Sequence, residues 1–140
     1  MRLTGASQSG GCQCGACRYE FTAAPLALHV CHCLECRRQS ASAFGITVTV
    51  PAAAFRMVQG APRQWSRPTA SGGITHCFFC PLCGSRLYHL GAAAADEVFV
   101  KGGSLDVPPD LSAAVHIWTA RRMPGLAIPP GATQYAGEPH

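Results

Sequence analysis

Apolar and β-branched residues fall in short runs that Gly and Pro interrupt: CRYEFTA (17–23), LALHVCHC (26–33), FGITVTV (44–50), ITHCFF (74–79), SRLYHL (85–90), EVFVKG (97–102) and AAVHIWTA (113–120). Their length and alternation predict strands. A helical turn is expected only at ECRRQSASA, residues 35–43, because no other segment keeps an apolar face at 3.6-residue spacing without a breaker. The pattern predicts a mostly β protein. RPTASGG (67–73) and LDVPPDLS (105–112) read as connections, and neither is long enough to divide the chain. A single domain over 1–140 is expected, with its core at about 10–120. The tail MPGLAIPPGATQYAGEPH is rich in Pro and Gly, and residues 121–140 are expected along the surface.

Composition narrows the class. Of 140 residues, 48% are hydrophobic and 13% charged, about half the usual charged share, so the chain is too apolar to stay disordered. Part of that weakly charged surface is expected in a homodimer interface. The opening MRLTGASQSGG lacks the apolar core of a signal peptide, and no hydrophobic run reaches membrane-spanning length. A cytoplasmic protein without membrane attachment is expected.

Nine cysteines are an odd number and too sparse for a small secreted disulfide scaffold. Reduced thiols holding metal fit better. The formal charge of +4 counts every cysteine as neutral. One four-thiolate zinc site and one three-thiolate site would leave about +1, and the longest basic runs are two arginines. A nucleic-acid partner is therefore not expected.

The cysteine spacing carries the chemistry. Cys12-Gln-Cys14 and Cys31-His-Cys33 each place two sulfurs on one face of an extended segment, since side chains alternate with period two. Cys33-Leu-Glu-Cys36 has a spacing at which thiolates can converge on one ion, and Cys80-Pro-Leu-Cys83 followed by Gly84 matches a zinc knuckle. A two-ligand half-site cannot close alone, so Cys12 and Cys14 need a second pair, and Cys80 and Cys83 are available. Cys31, Cys33 and Cys36 supply three ligands locally. A three-ligand zinc keeps an open position, the mark of a catalytic site. The competing reading is that Cys17, Cys77 or a histidine supplies a fourth ligand and the site is structural.

In this order, GGCQCGACRYEF, CHCLECRRQSASAFGITVTVPAAAF, FCPLCGSRLYH and VKGGSLD resemble the glutathione-dependent formaldehyde-activating enzyme family, whose relatives include centromere protein V. The resemblance covers roughly residues 10–120. It implies a small zinc-binding β-tent with a short helical turn after the central cysteines, and two zinc ions. Cys12, Cys14, Cys80 and Cys83 match the structural ligands, and Cys31, Cys33 and Cys36 the catalytic ones. The implied activity is condensation of formaldehyde with the thiol of glutathione to S-hydroxymethylglutathione, formally a carbon–sulfur lyase reaction in reverse. Three thiolates make zinc a weak Lewis acid, better suited to holding a thiolate than to ionising water, which agrees with a thiol substrate. The sequence departs from the family pattern where Pro124 and Gly125 follow HIWTARR in place of an aromatic residue.

Other residues have two readings each. Arg37 and Arg38 could pair with a substrate carboxylate, although adjacent arginines are more often solvated surface. Lys101 either lines the site or belongs to a turn with Gly102 and Gly103. Ser40, Ser42 and Phe44 suit the pocket as well as a helix cap and a core aromatic. Alternation turns His32 away from the face bearing Cys31 and Cys33, so it is not assigned to zinc. Cys17 and Cys77 are left over and read as buried thiols. Two other classes stay open: a non-catalytic zinc-binding module, and a redox sensor whose 31/33/36 thiols release metal on oxidation.

Overall fold

A computed structural model describes residues 7–92 and 94–139. The opening MRLTGA and the final His140 of the tail lie outside the described residues. The strands are β1 (Gln8–Gly11), β2 (Arg18–Phe21), β3 (Ala27–Cys31), β4 (Gly45–Pro51), β5 (Phe55–Gln59), β6 (Arg63–Pro68), β7 (Ile74–Phe79), β8 (Arg86–Gly91), β9 (Ala94–Lys101) and β10 (Val115–Ile117). Helix α1 (Leu34–Ser40) follows β3, and short 3-10 turns among the described residues lie between β4 and β5, twice between β9 and β10, and after β10. A three-stranded sheet has the order β1-β2-β5, and a seven-stranded sheet the order β10-β3-β4-β9-β8-β7-β6. All strand pairings are antiparallel except β10 with β3.

Every run expected to be a strand contains one. The structure adds β1, β5 and β6, whose sequences QSGG, FRMVQ and RQWSRP are short, polar or glycine-rich. Each lies at a sheet edge, where one face and one rail of backbone groups meet solvent and an apolar pattern is not required. The helix ends at Ser40, earlier than expected, because Ala41 adopts a left-handed conformation and its N–H caps the carbonyls of Arg37 and Arg38.

Strand alternation sorts the large sheet into two faces. On β4 and β9, Val48 and Val50 stand opposite Val100 and Val98, and all four are buried. They pack against Tyr19 and Phe21 of β2 and against Phe55 and Met57 of β5, so the small sheet closes this face. Each such buried aliphatic side chain contributes roughly 1.5–3 kcal/mol. The intervening residues Thr47, Thr49, Phe99 and Lys101, with His29 and Cys31 of β3, point the other way and line a cleft of about 520 Å³.

The sheets meet closely at Gly10, which pairs with Tyr19 and bridges to Leu105. A Cβ there would collide with the Tyr19 hydroxyl and come within 2.5 Å of the Ser104 carbonyl oxygen, whereas a Cβ at Gly103 would meet nothing within 4 Å. Overpacking of this kind costs about 1–3 kcal/mol. Gly10→Ala should therefore melt on the order of 5 °C below the wild type, and Gly103→Ala should melt with it. Equal melting temperatures for all three proteins in a thermal scan would refute this account of the junction.

Candidate metal centres and the cleft between the strands

Two tight hairpin turns face each other at one end of the molecule. Between β1 and β2, Cys12 N–H donates to the Cys17 carbonyl and Gly15 N–H to the Cys12 carbonyl. Between β7 and β8, Cys80 N–H donates to the Ser85 carbonyl and Gly84 N–H to the Cys80 carbonyl. Gly15 and Gly84 both take a positive φ, near +80°, which a side chain would strain. The Gln13 N–H reaches Ser85 Oγ at 3.0 Å and ties one turn to the other. The result brings the sulfurs of Cys12, Cys14, Cys80 and Cys83 within 4.8 Å of one another.

The donor set fits a metal. Cys12 and Cys14 sulfurs are 3.6 Å apart and those of Cys14 and Cys80 3.8 Å, against about 3.8 Å for the edge of a tetrahedron with bonds of about 2.3 Å. Backbone N–H groups of Cys17 and Leu82 point at the sulfurs of Cys12 and Cys80, as they do toward sulfurs that carry negative charge in metal knuckles. Hydrogen bonds from Ser85 hold the Cys83 thiol low, at about 5. Cys17 stays outside the set, buried and pushed up to about 12 chiefly by desolvation.

The second group is more local. Cys31 ends β3, Cys33 caps α1 with its sulfur accepting the Cys36 N–H, and Cys36 lies in the first helical turn. Their sulfurs also lie within 4.8 Å of one another, and no further His, Cys, Asp or Glu among the described residues joins them. Gly45 stands opposite Cys31, where a Cβ would press on Cys36 at 3.1 Å, so this position lets the helix approach the strand. Hydrogen bonds from Cys31 and then Cys36 draw Cys33 down to about 2, while sharing with Cys33 drives Cys31 up. Three sulfurs in contact thus compete for protons, the situation a bound cation relieves.

His32 lies fully buried between two of these cysteines and turns away from them, its Nε2 3.0 Å from Nδ1 of His116 on β10. Neither Arg37 nor Arg38 lines the cleft. One and two residues past Cys36, each is rotated off the face that carries its sulfur, and Arg38 is exposed. Lys101 does line the cleft: it is almost fully buried, and its Nζ donates to Thr47 Oγ1 at 3.0 Å. Burial lowers its pKa, and the thiolates of Cys36 and Cys31 work against that shift. Cys77 is buried outside both groups.

The structure adds cleft residues that spacing did not reveal. His89 accepts from Arg86 at 3.1 Å and is held neutral, its pKa depressed to about 2 by burial and by Lys101. Arg67 of β6 pairs with Glu35 of α1 at 3.4 Å, joining the helix to the far edge of the large sheet. Trp118, Arg121 and Glu138 form another wall. The sequence signal for Thr47, Thr49 and Lys101 was present, since they alternate with core valines; Glu138 and Arg121 had none.

A family model described as glutathione-dependent formaldehyde-activating enzyme matches residues 7–121. Among solved structures, the crystal structure of a Rhodobacter sphaeroides protein determined as a structural genomics target aligns with a TM-score of 0.60 and 26% identity, over 77% of this chain and 97% of that one. No curated protein sequence matches.

The two thiol groups should respond differently to loss of one ligand. The four-thiol group joins segments 66 residues apart, so Cys83→Ser should lose one metal ion and several kcal/mol of stability, given metal contributions on the order of 10 kcal/mol in small folded units. Cys36→Ser should lose the other ion and keep its fold, because the β core and the first centre remain. Metal content by mass spectrometry, together with thermal unfolding, distinguishes the two. A Cys83→Ser protein with full metal content and unchanged melting would break the pairing.

Proposed function

The chain belongs to the glutathione-dependent formaldehyde-activating enzyme family, and from that premise we propose that it is a zinc-dependent carbon–sulfur lyase-type enzyme joining the thiol of glutathione to formaldehyde or a similar small aldehyde. The observation that supports this most is the three-thiol group without a fourth protein ligand among the described residues, set at the floor of an open cleft. In this reading Cys31, Cys33 and Cys36 hold the catalytic zinc, and Cys12, Cys14, Cys80 and Cys83 hold a structural one.

When bound at the three-thiol group, zinc supplies a Lewis acid that stabilises the substrate thiol as its thiolate. The remaining work falls to the chain. Lys101 places a buried ammonium beside the thiolates of Cys31 and Cys36, where it offsets the negative charge that a further substrate thiolate adds. Thr47 accepts one of its three N–H bonds, which orients the others toward the cleft and lets them donate to the aldehyde oxygen as negative charge develops there. His89, neutral because it is buried and flanked by cations, adds no competing positive charge. The thiol proton and the aldehyde oxygen end together as the hydroxyl of the product, so the step balances without an oxidant.

Zinc analysis of the purified protein should give two ions per chain. In protein carrying cobalt at the three-thiol group, glutathione should change the visible spectrum and release a proton, and S-methylglutathione should not. Exchange NMR with formaldehyde should show faster formation of the hydroxymethyl thioether than in buffer. Lys101→Met should slow that rate on the order of 100-fold while keeping the metal. A cobalt spectrum that ignores every thiol rules out the catalytic reading; a spectrum that responds without any rate enhancement rules out the aldehyde alone.

A further inference from the structure

The segment beyond Arg121 lies past the region matched by the family model, yet it builds part of the cleft. β10 runs parallel to β3, with Ile117 beside Cys31. At the next residue the chain turns sharply: Trp118 adopts a left-handed conformation, φ 56°, which costs a bulky residue about 1–2 kcal/mol and persists only where its surroundings hold it.

The tail provides that hold. Residues 133–137 run alongside β10 and the turn after it: His116 N–H donates to the Thr133 carbonyl, Tyr135 N–H to His116, Trp118 N–H to Gly137 and Thr119 N–H to Tyr135. The Trp118 indole N–H then donates to Glu138 Oε1 at 2.8 Å. Trp118, Arg121, Glu138 and Pro139 thereby line the same cavity as Cys31 and Cys33. Ile117 stands beside Cys31, and Trp118, the next residue, is the one that holds Glu138.

This wall brings one carboxylate and one guanidinium to a single end of the cleft, complementary to the zwitterion of a free α-amino acid headgroup. The γ-glutamyl arm of glutathione, when extended, separates its sulfur from such a headgroup by roughly 7–10 Å. We propose that the C-terminal segment is the part of this chain that reads the headgroup of its thiol substrate, Glu138 taking the ammonium and Arg121 the carboxylate. The inference rests on the thiol-binding reading of the three-cysteine group and assigns the specificity of that site to the end of the family match and the residues beyond it.

The test compares glutathione with glutaryl-cysteinylglycine, the same molecule with the headgroup ammonium replaced by hydrogen, by calorimetric titration of the metal-loaded protein. Wild type should bind glutathione at least tenfold more tightly. Glu138→Gln should bring the two ligands within about twofold by weakening glutathione alone, and Arg121→Gln should weaken both alike. In Glu138→Gln the amide oxygen of the new side chain still accepts from the indole, so unliganded tryptophan fluorescence should not change. Equal wild-type affinities, which need no variant to fold, or a preference surviving in Glu138→Gln, would overturn the headgroup assignment and leave the thiol site standing. Failure of the wild type to bind either thiol would remove both readings.

Discussion

The structure depends on the alternation of side chains along β4 and β9. Val48, Val50, Val98 and Val100 reach the core only if the residues between them face away, because a strand cannot place neighbours on one side. That second face carries Thr47, Thr49, Phe99 and Lys101, and it becomes the cleft floor. A one-residue slip in register would put a lysine among the valines and a valine beneath the thiols. Stability of the core and composition of the site are thus fixed by the same pairing.

The two thiol groups divide the demands that remain. The four-thiol group lies where two hairpin turns meet and are tied by the Gln13 N–H to Ser85 Oγ bond, and its sulfurs are approached by backbone N–H groups that a folded turn alone provides. The three-thiol group is nearly local in sequence and gains its closeness from a capped helix resting on a glycine. In the proposed reading the first group holds the fold together, whereas the second opens onto the cleft. Their chemistry differs because of what surrounds the sulfurs rather than because of the sulfurs themselves.

Charge in the cleft follows the same logic of opposed neighbours. Burial disfavours a charge on Lys101, and Cys36 and Cys31, which face it, work against that shift. His89 meets burial and three cations, Lys101, Arg86 and Arg67, and stays neutral. Toward the rim the charges pair across elements, Arg67 with Glu35, and the tail adds Glu138 beside Trp118.

The sequence by itself determined the β class, seven of the strands, the helical turn and the cysteine half-sites, because periodicity and ligand spacing are local properties that survive without knowledge of neighbours. Alternation alone also turned His32 away from the face of Cys31 and Cys33, and the structure directs that ring to His116. Three edge strands escaped because exposed edges carry no apolar signature. Only the tertiary structure decided that no fourth ligand joins Cys31, Cys33 and Cys36 among the described residues, that Arg37 and Arg38 lie off the cleft, and that Arg67, His89, Arg121 and Glu138 line it. Those side chains come from segments far apart in the chain, and a polar residue that faces a cleft has the same local pattern as one that faces water.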